Sequence, residues 1–255
     1  MLSMTSTPSN DHSVCPLFVV GAGSKIFRML DWPLPYVPVS GRLEALGEMP
    51  SFAAGSTIIL FADPPTIDDA LAMMISMIGS TPIDSDVHVI FISSISALFD
   101  QSDLFTGSGV YARKKKALEA FLEASLPAGN LCIVRFGNVF ECGGWQDIAR
   151  HCPVTLLPRG FDRCAATDIA SIRACLLATV GNRNSGHINL WKDKPAAAFF
   201  TRTRHPYGLR TLYRSRLGRI AIKVAGKLLR KMGIYLPSPD DIDSFNARFF
   251  RKFAA

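Results

Sequence analysis

A doubly wound α/β fold with a mainly parallel sheet is what this 255-residue chain predicts, and three observations carry that expectation. Short runs such as Leu17-Phe18-Val19-Val20 and Leu131-Cys132-Ile133-Val134 are apolar throughout, the pattern of strands buried on both faces. These runs alternate with amphipathic helical stretches, the order that lays helices over both faces of a parallel sheet. A composition of 48% hydrophobic and 19% charged residues is enough to fill a sizeable core.

The elements follow in order. The strand at Leu17 runs into Gly21-Ala22-Gly23, a turn that opens a short helical stretch soon interrupted by Pro33 and Pro35. Tyr36 to Ser40 is a poorer strand, which Pro38 restricts to an edge or an end. Thr57 to Ala62 is a third strand, stopped by Asp63-Pro64-Pro65. Thr66, with Asp69 three residues on, caps a helix whose expected inward stripe is Ile67, Leu71, Met74, Ile75 and Ile78, ending at Gly79. Val87 to Ile92 is a strand that delivers Ser93-Ser94-Ile95-Ser96, and a helix carrying Tyr111 follows with Leu118, Phe121 and Leu122 facing inward. After the strand at Leu131, Asp168 to Val180 reads as a helix with Ile169, Ile172, Leu176 and Val180 on one stripe, and His187 to Leu190 as a last strand. This reading divides the chain into a flexible tail (1–15), a sheet domain (16–195) and a basic helical region (196–255).

Composition excludes several classes. No run of 18 or more apolar residues exists, so no transmembrane helix is expected. Met1 to Ser13 is polar and carries Asp11, unlike a secretory signal, which points to the cytoplasm. The six cysteines show no Cys-x-x-Cys and no zinc spacing, so reduced structural thiols and no metal site are expected.

The chemistry concentrates at Tyr111-Ala112-Arg113-Lys114-Lys115-Lys116-Ala117-Leu118-Glu119. Tyr111 and Lys115 stand four apart and share one helix face, where an ammonium beside a phenol favours the phenolate and suits the tyrosine to general acid/base work. Gly21, Gly23 and Ser24 lie where a dinucleotide pyrophosphate would rest on backbone N–H groups, although Ile26 occupies the place of a third glycine. About twenty residues on, the chain offers Ser40-Gly41-Arg42 rather than an acid, a pairing that suits a ribose 2′-phosphate.

Together these segments resemble the extended short-chain dehydrogenases/reductases, the NAD(P)-dependent epimerase/dehydratase group. Tyr-x-x-x-Lys is that family's signature, with the Glu119 spacing common in its sugar-nucleotide branch. Arg135-Phe136-Gly137-Asn138-Val139-Phe140 is similar to its Arg-x-x-Asn-Val-Tyr segment, with Glu141 where glycine is usual. Arg163 to Ile169 resembles the later stretch before a helix, and the likeness spans about residues 16–190. The resemblance implies a Rossmann-like fold in which Tyr111 passes a proton and Lys115 holds the nicotinamide ribose. Ser94 orients the substrate oxygen; Ser96 is the fallback, and a different alignment puts Ile95 at that position. The cofactor is NADP, with NAD as the alternative, held also by Gly21, Gly23, Ser24, Ser40, Arg42 and Ala62; Asn138 and Ser96 border the substrate. The implied task is 4-keto reduction or epimerisation of a nucleotide-linked sugar, as in surface-polysaccharide synthesis, with a homodimer among the partners it suggests. Sugar 4,6-dehydration is excluded, because the Asp-Glu pair it needs is replaced by Ile95-Ser96. The rival reading is a degenerate member that binds dinucleotide or a protein partner without turnover.

The net charge of +7 belongs to one segment. Residues 202–231 carry Arg202, Arg204, Arg210, Arg214, Arg216, Arg219, Lys223, Lys227, Arg230 and Lys231 with no acid, and setting those ten cations aside turns the remainder to −3. Arg216 to Met232 is strongly amphipathic, with Leu217, Ile220, Ala221, Val224, Ala225, Leu228 and Met232 on one face. The expectation is that this face packs on the domain; peripheral contact of 202–231 with the inner membrane surface is the alternative. Nucleic acid is not expected, since no aromatic interleaving accompanies the cations.

Overall fold

The computed structural model describes residues 15–41, 50–61, 66–79, 86–99, 109–239 and 241–245. Its centre is a parallel sheet of β1 (Leu17–Val20), β2 (Val37–Val39), β3 (Thr57–Leu60), β4 (His88–Ser94), β5 (Leu131–Phe136) and β8 (Gly186–Leu190), in the spatial order β2-β1-β3-β4-β5-β8. Every neighbouring pair in it is parallel. β2 is an edge strand, as its Pro38 requires. The chain moves outward from β1 to β2 and then crosses back to β3, so the strand order reverses beside β1. That reversal is the topological switch point at which open α/β sheets bind ligands.

Helices cover both faces. α2 (Ile67–Gly79) and α3 (Val110–Ser125) close one apolar cluster built around Phe18, Ile58, Phe91 and Ile133. α1 (Lys25–Met29) and α5 (Ile169–Asn182) close the other, around Val19, Ile59, Ile90 and Val134. Alternate residues of β1, β3, β4 and β5 feed opposite clusters, which is why these central strands had to be apolar throughout. Thr66 caps α2 by accepting from Asp69 N at 3.1 Å. Asp168 caps α5 through Ser171 N at 2.7 Å, and its bonds to the Ser171 hydroxyl and N–H hold the carboxyl below the usual range.

One expected stripe is corrected. α2 buries Ala70, Met73, Met74 and Met77, while Ile67 and Ile75 are exposed. The helix is turned so that unbranched methionines, which adapt to irregular gaps, face the sheet.

The residues after β8 do not pack alone. A second cluster joins Phe140, Ile148, Cys152, Leu157 and Cys164 to Phe200, Tyr213, Ile222, Tyr235 and Phe245. It is roofed by α4 (Gly143–His151), α6 (Leu209–Arg214) and α7 (Arg216–Lys231). Its strands are β6 (Val154–Leu156), flanked in parallel by β10 (Arg202–Arg204) and β11 (Ile234–Tyr235), and the antiparallel pair β7 (Arg163–Ala166) and β9 (Lys192–Pro195). Segments 140–166 and 196–245 therefore share one small core beside the main sheet.

α7 brings the second correction. Leu217, Ile220, Val224 and Leu228 are not buried against the domain; Leu217 is 80% exposed and Leu228 60%. The helix instead lies on the stripe Gly218, Ile222, Ala225 and Leu229. Gly218 explains the choice: a Cβ there would run into the Leu212 carbonyl oxygen, so only glycine lets α7 approach α6 this closely.

Candidate active site

Because the six strands are parallel, their carboxyl ends share one edge. Gly21, Ser40, Ser94 and Gly137-Asn138 all follow strand ends there. Gly21 sits at φ +79°, in the region glycine adopts without strain, and its N–H bonds to Val39 O at 3.0 Å. That bond ties the first turn to the end of β2, so Ser40 emerges beside it. Ser24 caps α1 by accepting from Phe27 N at 3.2 Å, and its own N–H bonds to Gly21 O. Gly23 is exposed with open space around it. Ile26 packs into the core between α1 and the sheet, which accounts for its place where a third glycine is usual. A glycine turn at positive φ, at the switch point and open to solvent, fits a dinucleotide pyrophosphate. Arg42 and Ala62 lie outside the described residues.

α3 carries the tyrosine and its lysines. Tyr111 is 46% exposed, whereas Lys115 is only 4% exposed. The Lys115 ammonium donates to Ile92 O of β4 at 3.4 Å and stands 5.7 Å from the Tyr111 ring centroid and 5.4 Å from that of Phe91. Lys114 approaches the same tyrosine ring at 5.5 Å. The helix therefore brings Tyr111 and two cations together beside the end of β4.

One turn further along, Glu119 enters a buried network. Arg135 donates Nε to both Glu119 oxygens and an Nη to Oε2 at 2.7 Å, and Ser93 Oγ donates to Oε1 at 2.5 Å. The second Nη of Arg135 reaches Asn189 Oδ1 at 3.4 Å. Both charges are buried, and the bidentate fork satisfies them mutually. The network bolts α3 across β4, β5 and β8, and so fixes the height of Tyr111 above the sheet edge. Sequence reasoning placed Glu119 and Arg135 in separate motifs and missed that they pair. The signal was available: a charge inside an apolar strand needs a buried partner.

The serines divide by the pleat. Ser93 points inward to Glu119, while Ser94 caps the 3₁₀ turn Ile95–Leu98 by accepting from Ser96 N at 3.2 Å and donates to Ser96 Oγ at 3.1 Å. Ser94 and Ser96 form one half-buried hydroxyl pair at the strand end. Ile95 is buried with Phe99, Ala112 and Ala165. Just beyond the end of β5, Asn138 bridges to β7, its N–H bonding to Ala165 O at 2.8 Å. Gly137 is required here: a Cβ would stand 2.7 Å from Ala165 O.

No protein-family model and no curated protein matches the sequence. Solved structures do match in fold. A nucleoside-diphosphate-sugar epimerase from Staphylococcus aureus superimposes with a TM-score of 0.60 at 11% identity, over 91% of this chain and 90% of the other. A dTDP-4-dehydrorhamnose reductase from Bacillus anthracis, solved with NADP, gives 0.53 at 13% over 91% and 87%. A UDP-N-acetylglucosamine 4-epimerase from Methanobrevibacter ruminantium, in complex with UDP-N-acetylmuramic acid, gives 0.51 at 12% over 94% and 98%. The chain thus has the fold of the epimerase and reductase group whose motifs it resembles.

Proposed function

We propose that the protein is an NAD(P)-dependent reductase or epimerase acting on a sugar carbon of a nucleotide-linked sugar, with NADP favoured. The observation that carries this reading is the meeting of Tyr111 and the Lys115 ammonium beside the end of β4, on the sheet edge that also bears the Gly21 turn. The similar structures include one solved with NADP and one solved with a UDP-sugar acid.

In this reading Tyr111, the exposed member, passes a proton to the carbonyl oxygen during reduction or, as phenolate, takes the proton of the sugar hydroxyl during oxidation. Lys114 and Lys115 stabilise the phenolate that results. The Ser94–Ser96 hydroxyl pair orients the reacting oxygen, and Asn138 borders the sugar. Gly21, Gly23 and Ser24 would hold the pyrophosphate, Lys115 the nicotinamide ribose, and Ser40 with Arg42 and Ala62 the adenosine side. When bound, the nicotinamide supplies or accepts a hydride at the sugar carbon. The Glu119–Arg135 pair positions the helix rather than taking part in the chemistry.

Steady-state kinetics on nucleotide-linked keto sugars test the assignment. Tyr111→Phe should lower turnover by about 10²–10⁴-fold while nucleotide binding persists, since only the proton-transfer group is lost. Retention of most activity would overturn the mechanism. Arg42→Ala should weaken NADP(H) much more than NAD(H) in calorimetry, because only the former carries the 2′-phosphate; equal weakening would remove Arg42 from that role.

A second reading, nucleotide binding without turnover, draws on the burial of Lys115, a residue 4% exposed whose ammonium is engaged by Ile92 O. It predicts that the purified protein retains nucleotide yet reduces and epimerises no nucleotide-linked sugar.

A further inference from the structure

α7 has three faces. Gly218, Ile222, Ala225 and Leu229, spaced four, three and four apart, face the domain. Leu217, Ile220, Val224 and Leu228, spaced three, four and four apart, form a second apolar stripe that the domain leaves uncovered, from 56% to 80% exposed, continued by Met232 at 72%. Exposed Arg216, Lys223, Lys227, Arg230 and Lys231, with half-buried Arg219, make up the third face. The fold thus leaves an apolar row exposed, with cations along one border of that row.

We propose that α7 is an interfacial helix that docks the protein on an anionic lipid bilayer, lying in the membrane plane with Leu217, Ile220, Val224 and Leu228 among the acyl chains. Charge complementarity selects this occupant. The segment from 202 to 231 carries ten cations and no acid, so it is attracted to phosphate-bearing headgroups. A second copy of the chain would bring two such segments face to face, with like charges opposed. Nucleic acid would satisfy the cations but leave the apolar row in water. A bilayer satisfies both, since lysine and arginine stems cover apolar surface while their heads reach the headgroups. The helix has 16 residues, about 24 Å at 1.5 Å per residue, and no helix among the described residues is long and apolar enough to cross a membrane. The surface is one that rests on a bilayer rather than spans it, and it is independent of the reaction proposed above.

Vesicle sedimentation with the full chain tests it, and needs no turnover. Vesicles of phosphatidylcholine with about a third phosphatidylglycerol should bind the protein, and pure phosphatidylcholine should bind it at least about tenfold more weakly. Raising salt from about 0.1 M to about 1 M shortens the screening length from about 10 Å to about 3 Å and should weaken binding to the anionic vesicles at least about tenfold. Val224→Asp with Leu228→Asp should abolish that binding while the thermal midpoint stays close to the parent's, because neither side chain is part of the core. Absence of binding to anionic vesicles, or equal binding by the double variant, would overturn the proposal. So would a solution dimer that the double variant splits, which would make a second copy the occupant. Lys227→Glu with Lys231→Glu separates the charge from the stripe: unchanged affinity for anionic vesicles would also overturn it.

Discussion

α3 and α7 are both 16-residue helices rich in lysine and arginine, and the fold treats them in opposite ways. α3 buries charge: Lys114, Lys115 and Glu119 are all enclosed, alongside Leu118 and Leu122. α7 exposes hydrophobics, holding the domain through a narrow Gly-Ile-Ala-Leu stripe and turning its wider apolar face outward. The difference lies in the partners. α3 lies on a sheet whose neighbouring strand supplies Arg135 and whose strand end supplies Ile92 O, so its charges have somewhere to go. α7 packs chiefly on α6, β11 and a small cluster among the described residues, and the close approach at Gly218 fixes which side it presents. Amphipathicity shows that a helix has two faces; the neighbour decides which face is covered.

Breaking the α3 arrangement should have the largest effect. Glu119→Ala leaves the Arg135 guanidinium buried without its fork and should cost about 3–5 kcal/mol in denaturant unfolding. A cost near zero would mean that the pair does not anchor the helix. Gly218→Ala forces a Cβ against the Leu212 carbonyl and should cost about 1–3 kcal/mol, the sharpest probe of how α7 is seated. Leu228→Asp alone, on the outward stripe, should change stability by less than about 1 kcal/mol. A loss of several kcal/mol would show that the stripe is buried in solution after all.

Two smaller effects concern the buried groups beneath the helices. His88 is buried, donates its Nε2–H to Asn184 O at 2.8 Å, and its Nδ1 has no hydrogen-bond partner; burial, reinforced by the Arg183 charge, lowers its pKa. The folded state then binds fewer protons than the unfolded one just below the unfolded pKa of about 6.5. The stability this neutral histidine contributes is full above that value and is lost as pH falls below it. His88→Gln should flatten that limb of a stability–pH curve. Among the thiols, burial pushes Cys132 up to about 11 and Cys164 up to about 12, whereas Cys15 is exposed. A thiol reagent at neutral pH should therefore modify Cys15 first; early loss of Cys132 or Cys164 would indicate that the core opens.

The alternation of fully apolar strands with helices made the sheet legible before any coordinates. Pro38 marked its edge strand, Thr66 and Asp168 marked helix starts, and the order of glycine turn, Ser94 and Tyr111 brought the candidate site to one sheet edge. Each of these rests on local chemistry: a missing N–H, a side-chain cap, a periodicity of two or 3.6. The stripe of α2 was misjudged by part of a turn, since methionine and alanine can displace isoleucine from a core where the fit favours them.

What only the tertiary structure decided are questions of pairing across the chain. Ser93 and Ser94 are neighbours of the same type, yet one closes a buried ion pair and the other pairs with Ser96 at the half-buried strand end, because the pleat sends them to opposite sides. Glu119 and Arg135 lie sixteen residues apart in different elements, and nothing local shows that they meet. The same holds for α7, whose amphipathic pattern was plain in the sequence but whose outward turn was set by a backbone contact at Gly218. The sequence determined which residues could form each element; the distances between elements determined which of their charges are satisfied inside and which face outward.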